Sequence, residues 1–271
     1  MRGFRRLLMP ALLSVLTLVA YAGDDEPRVP DAWVEEALEA ADDHALELEK
    51  VLAHFATADD LRKLVAARFL VANMAGHGYV LTEFRSAEEE AIEFDPLAYE
   101  TYKEARAALE AIEKERGELH VARERIVEDL KTIQADYLIR HVNEAFAAWE
   151  ACPDAQRVGF DAFLNYVLPY RGSQEPLDFW IGPLRDRYGG LWAELDGDVG
   201  AIRKHLSRDV HKRVRFNERY YMHPTDQGFK EMVVSGQGRC EDITNMMTFC
   251  NVFIAITQVT SHQQLTFRMN E

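Results

Sequence analysis

The sequence predicts a mainly α protein in two parts: a helical N-terminal domain over 23–150 and a second region over 151–271, behind an export signal over 1–22. Three observations predict it. Apolar residues recur at spacings of three and four from Pro30 to about Glu150. Aromatic residues, Gly and Pro become denser after Cys152-Pro153-Asp154. A Gly-rich approach then runs into a helical pattern at Cys240.

Residues Met1 to Arg6 carry Arg2, Arg5 and Arg6 and no acid, Leu7 to Ala20 is almost wholly apolar, and Ala20-Tyr21-Ala22 is a small-x-small cleavage site. This is the pattern of a secretory signal peptide, so the mature chain is expected to begin near Gly23 and to be exported. The apolar run is shorter than the roughly 20 residues that span a bilayer, and Asp24, Asp25 and Glu26 follow at once. No second run of spanning length follows, so no integral membrane segment is expected in the mature chain. The formal net charge of -15 becomes more negative once the signal arginines leave, which argues against nucleic acid as a partner.

In the N-terminal domain, Asp31 is a candidate cap for a helix through Val34, Leu38, Leu48 and Leu52. Thr57 and Asp60 resemble a capping box that opens a second helix through Leu61, Leu64, Val65 and Phe69, ended by Gly76-His77-Gly78. A long charge-rich helix is expected over Tyr102 to Glu128, and its pattern continues to Trp149 as hairpin or coiled-coil-like material. His44, His54, His77, His120 and His141 lack the spacing that would put two imidazoles on one helix face, so no metal site is expected there.

The second region opens with Phe160, Phe163, Tyr166, Tyr170, Phe179 and Trp180. Asp196 to Arg219 gathers Arg203, Lys204, Arg208, Lys212, Arg213, Arg215 and Arg219, a basic island that reads either as a solvated helix or as a groove for an acidic substrate. Gly228, Ser235, Gly236, Gln237 and Gly238 then approach Arg239-Cys240-Glu241-Asp242. A Cys at the start of a helix meets unpaired N–H groups and the positive end of the helix dipole, which favour a thiolate, and Arg239 adds charge. The same N–H groups could hold an oxyanion, so Gly236, Gln237, Gly238 and Arg239 are candidate substrate-binding residues around the nucleophile Cys240. The three cysteines, Cys152, Cys240 and Cys250, leave at least one thiol unpaired, and spacing does not rank the pairings.

Gly238-Arg239-Cys240-Glu241-Asp242 resembles the nucleophile turn of the bacterial transglutaminase-like superfamily. Phe163-Leu164-Asn165-Tyr166-Val167-Leu168-Pro169-Tyr170-Arg171, with Glu175-Pro176-Leu177 and Trp180, is similar to the segment preceding the core in its exported members, and Leu61 to Met74 to their helical N-terminal region. The resemblance implies that 151–271 is a partial α+β domain of papain-like, transglutaminase-like type. It further implies a cysteine acyl transferase or peptidase acting on a protein or peptide through a thioester on Cys240, with no cofactor. Calcium serves some members, but no Asp/Glu loop of calcium-ligand spacing occurs here.

The family completes its triad with a His and an Asp downstream. Here no Asp follows Asp242, and His262, in Thr260-Ser261-His262-Gln263-Gln264, is the sole remaining candidate base. From about 251 the tail changes character, so the sequence predicts the nucleophile half of a domain without its base half, with Met246, Met247 and Phe249 left uncovered. The alternative is a non-catalytic exported interaction protein that uses the helical domain as its working surface.

Overall fold

A computed structural model describes residues 29–151 and 159–254. The signal segment, Cys152 and the tail that carries His262 lie outside the described residues. The structure is mainly helical, with a small sheet.

Two helices stand where the sequence suggests one. Helices α1 (Asp31–Ala41) and α2 (Ala45–Ala56) are separated by a 3-10 turn at Asp42–His44. Asp42 takes φ +54°, a left-handed conformation that Asp tolerates better than most residues. Helix α3 (Leu61–Ala72) begins where expected, but its cap is Asp60, whose carboxylate accepts the Arg62 N–H at 3.0 Å. Thr57 instead donates its hydroxyl to the His54 carbonyl at 3.1 Å, still tied to the preceding helix.

The expected helix over Tyr102 to Glu128, and with it the purely helical hairpin or coiled-coil reading of 23–150, requires correction. Helix α4 covers Tyr102–Arg116 alone, and strands β1 (Gly78–Arg85), β2 (Ala91–Ile92) and β3 (His120–Glu128) form an antiparallel sheet in the order β2-β1-β3. Thr101 and Glu104 form a true capping box at the start of α4. Gly117, at φ +84°, ends it. Beyond it, Val121, Ile126 and Val127 are β-branched and suit a pleated surface, and a side chain on Gly78 would collide with the Val127 carbonyl across the ladder. The charged residues between these apolar positions mimic the polar face of a helix as readily as the outer face of a strand.

Short α5 (Asp129–Thr132) and long α6 (Ala135–Ala151) return the chain to the bundle, where Leu138, Val142 and Phe146 bury against Leu48, Phe55 and Phe69. The second region adds α7 (Phe160–Tyr166), α8 (Ile181–Tyr188), α9 (Leu191–Glu194), α10 (Val199–Arg213), α11 (Phe229–Ser235) and α12 (Cys240–Phe253). Its two-residue strands β4 (Arg215–Phe216) and β5 (Gln237–Gly238) pair in parallel. One apolar core runs through both parts. Phe163 of α7 sits 4.8 Å from the Phe146 ring and stacks on Trp149 at 4.6 Å.

Helix α12 packs against α10 and α8, with α6 and α11 beside it. Met246 and Phe249 are consequently buried and Met247 packs on the core, contrary to the expectation that all three lie uncovered. Trp180 stacks on Phe249 with centroids 5.1 Å apart, and Phe229 meets it edge-on at 5.9 Å. Trp180, just before α8, and Phe229 of α11 thus supply the aromatic cover. Part of the basic island is internal bracing: Asp209 of α10 accepts hydrogen bonds at 2.9 Å from both Arg187 and Arg213. Among the described residues, no helix is long and apolar enough to cross a membrane.

Candidate functional site

Cys240 is the first residue of α12, as the sequence suggests, and its thiol is exposed. The turn that delivers it is built from the inside. Asp242 is almost fully buried, and one carboxylate oxygen accepts the backbone N–H of Gln227 at 2.9 Å. The other accepts the Gln227 side-chain amide and the Arg239 N–H, both at 2.9 Å, so Asp242 caps the helix it belongs to. Gln227, itself fully buried, also donates to the Gln237 carbonyl at 2.8 Å and accepts the Ser235 hydroxyl at 3.0 Å. A buried polar hub stays favourable only when its members are satisfied, and the side chains of Asp242 and Gln227 are.

The candidate substrate-binding residues serve this frame. Gly236 holds φ +61° at the end of α11, a left-handed cap suited to glycine. The Gln237 side-chain carbonyl accepts from Asn217 at 2.5 Å. Gly238 lies so close to Asp242 that an added Cβ would stand 2.7 Å from the Asp242 Cβ and 2.8 Å from the Gln227 amide. Glycine is needed there for close approach, rather than for chain flexibility. The Arg239 guanidinium pairs with Asp226, donates to the Tyr220 carbonyl at 3.2 Å and brings its Nε within 3.7 Å of Glu241 Oε2, beside the thiol. The positive charge expected beside Cys240 is thus shared between two carboxylates, Asp226 and Glu241.

Among the described residues two groups hydrogen-bond the sulfur. The Cys240 thiol donates to Glu241 Oε2 at 3.0 Å, a bond that only the protonated sulfur can make. That hydrogen bond is the main reason the Glu241 carboxyl lies below its ordinary range. Tyr221, from the 3-10 turn Glu218–Met222, places its hydroxyl 3.5 Å from Sγ. With the thiol proton directed to Glu241, the Tyr221 O–H is the donor to sulfur, and this contact leads the causes that push its phenol above the usual value. Tyr221 was not legible as a site residue, because nothing in its local sequence links it to a cysteine 19 positions on.

Among the described residues no imidazole is a hydrogen-bond partner of Sγ. Among the described residues the closest histidine in sequence is His223, which shares its Nδ1 with the Thr225 carbonyl at 2.8 Å and its Nε2 with Glu231 at 3.2 Å. Burial works against its charge, but Glu231 and the Thr225 carbonyl outweigh burial and raise it above the ordinary histidine value. His141 is a core histidine, bonded to the Leu168 carbonyl at 2.8 Å among Tyr137, Tyr170 and Trp180, and burial lowers it to about 4.

The Pro-Tyr-Arg…Glu-Pro-Leu run is a junction. Arg171 holds both carboxylate oxygens of Asp129 at 2.5 Å, and the Tyr170 hydroxyl donates to the same carboxylate at 3.0 Å. The next turn folds onto Glu175, whose side chain accepts the Gly172 and Ser173 N–H groups at 2.8 and 2.7 Å and reaches Asn245 of α12 at 3.5 Å. Asp129 and Glu175 are both nearly inaccessible, and burial pushes the Glu175 carboxyl up. Asp129 of the first region is thereby linked, through Arg171 and Glu175, to the cysteine helix at Asn245.

At the far end of α12, Cys250 is fully buried, and burial pushes its thiol up to about 12. Cys240 and Cys250 stand ten residues apart on one helix, about 15 Å at 1.5 Å per residue, so they cannot bridge each other. Among the described residues no group of three His, Cys, Asp or Glu side chains is arranged to hold a metal ion. In comparisons with known proteins, no family model, no curated protein and no solved structure matches the chain.

Proposed function

We propose that Cys240 is the nucleophile of an exported, transglutaminase-like cysteine acyl transferase or peptidase, and that 159–254 belongs to a papain-like α+β core. The observation that carries this reading is an exposed thiol on the first residue of a 14-residue helix, delivered by a rigid Gly238–Asp242 turn with a tyrosine hydroxyl 3.5 Å from the sulfur. First-turn N–H groups lack intrahelical acceptors and can face a developing oxyanion.

In the proposed step, Sγ bonds to the carbonyl carbon of a protein or peptide carboxamide, the carbon–nitrogen bond breaks, and the amine leaves with the thiol proton. Water or a second amine then opens the thioester. The Tyr221 hydroxyl is placed to hydrogen-bond the sulfur as its proton departs. A second reading, a non-catalytic exported protein that keeps the cysteine core as scaffold, draws on the absence of an imidazole at the sulfur among the described residues.

Iodoacetamide added at neutral pH to the chain beginning at Gly23, with the modified cysteine read by mass spectrometry, separates the two. Selective alkylation of Cys240, faster than that of free cysteine, is the result expected of the nucleophile. Labelling no faster than free cysteine sinks that reading in favour of the scaffold.

A further inference from the structure

Tyr221 belongs to two places at once. Its hydroxyl contacts Cys240, and its ring lines a cleft of about 120 Å³ between the β1–β3 sheet and residues 221–224. Phe84, Ile92, Phe94, Val121 and Met222 supply the apolar walls.

The polar groups around the cleft are already engaged. Thr82 donates both its N–H and its hydroxyl to the Pro224 carbonyl, at 2.8 and 3.0 Å. Glu83 accepts from Arg85 at 2.6 Å, and His223 is held between Thr225 and Glu231. What the cleft offers a ligand is therefore apolar surface. An apolar cavity of about 150 Å³ takes up benzene, so this one suits a phenyl or branched aliphatic group. Its walls are braced, because Arg219 donates to the Leu97 and Tyr99 carbonyls and pins the 218–222 turn against the sheet side.

We propose that this cleft is the subsite for one apolar side chain flanking the acyl carbon attacked by Cys240. The proposal rests on the nucleophile reading, and Tyr221 is its link: the same residue touches the sulfur and lines the cleft, so a substrate held at the sulfur runs along it toward the apolar walls. The sheet of the first region, rather than the cysteine core, then sets the preference for substrate.

The test compares acylation of the chain beginning at Gly23 by p-nitrophenyl phenylacetate and p-nitrophenyl acetate, each rate divided by that of free cysteine with the same ester. The carbon–sulfur bond forms as the carbon–oxygen bond breaks, p-nitrophenolate leaves with the electron pair, and the thiol proton passes to buffer. Intact-mass spectrometry assigns the acyl group to Cys240. The phenylacetyl donor is expected to be favoured roughly tenfold or more. Val121→Trp, at a position 62% exposed on β3, fills the cleft and brings the corrected ratio close to one. In parallel, an NMR titration with phenylacetamide is expected to move the Phe84, Val121 and Tyr221 amides, whereas acetamide leaves them in place. Acylation of Cys240 with equal corrected rates and no such shifts overturns the subsite and spares the nucleophile. Failure of both esters to acylate Cys240 overturns the nucleophile and, with it, the subsite, even where phenylacetamide binds.

Discussion

The two ends of α12 carry the same side chain in opposite circumstances. Cys240 stands exposed on a turn held by a polar hub, with a carboxylate and a phenol at its sulfur. Cys250 lies fully buried near Tyr188 and Asp209, and burial pushes its thiol up to about 12. Residue type is thus a poor guide to reactivity. Ordered donors and water decide it at one end, and exclusion of water decides it at the other.

The contrast is most easily broken from the buried end. Phe249→Ala removes the ring on which Trp180 and Phe229 pack, and a Phe→Ala change in a core costs about 3–5 kcal/mol. Urea denaturation is expected to show that loss, and Cys250, silent in the native parent, is expected to become alkylated by the same reagent as Cys240. A variant that stays as stable as the parent with Cys250 protected would show that the aromatic stack is not what shields it.

Acid offers a gentler route to the same end, because His141 packs on Trp180. Its folded value of about 4 lies below the ordinary 6.5, so the unfolded chain takes up a proton before the folded chain does. Stability from this group is complete above about pH 6.5 and is lost as pH falls toward 4, by about 3 kcal/mol in all. His141→Gln can keep a donor to the Leu168 carbonyl, and its denaturation midpoint is expected to vary less with pH over that window. An unchanged slope would place the acid sensitivity elsewhere.

The smallest effect sharpens the exposed end. Glu241→Gln keeps a hydrogen-bond acceptor beside Cys240 but removes the negative charge 3.0 Å from the sulfur. Alkylation of Cys240 at neutral pH is expected to rise a few-fold, the scale of about 1 kcal/mol, with denaturation unchanged. A slower reaction would mean that the carboxylate assists the sulfur.

The sequence announces the helix that starts at Cys240, the α3 span and the aromatic second region, because each depends on short-range signals: a Gly-rich approach, periodic apolar residues, local composition. It hides the β1–β3 sheet, since Val121, Ile126 and Val127 amid Arg and Glu satisfy a helical pattern about as well as a pleated one. The site's frame is hidden for a different reason. Asp242 meets Gln227 across 15 positions, Asp129 meets Arg171 across 42, and Tyr221 reaches Cys240 from another element. Such pairings are facts of tertiary structure with no local pattern to reveal them. Arg239 illustrates the limit, as its neighbour in sequence is Cys240 while its charge partner is Asp226.

The segment from Asn217 to Gln227 is tied at both sides, to the first region through Thr82 of β1 and through the Arg219 bonds to Leu97 and Tyr99, and to the cysteine turn through Asp242 and Arg239. The Thr82 tie closes a loop of 142 residues and the Arg219 tie one of 122. Contacts at such separation carry a large closure entropy and form slowly, after local helices are in place. The hydroxyl beside Cys240 meets its sulfur across only 19 positions, so the cysteine turn is expected to form before its segment docks on the first region.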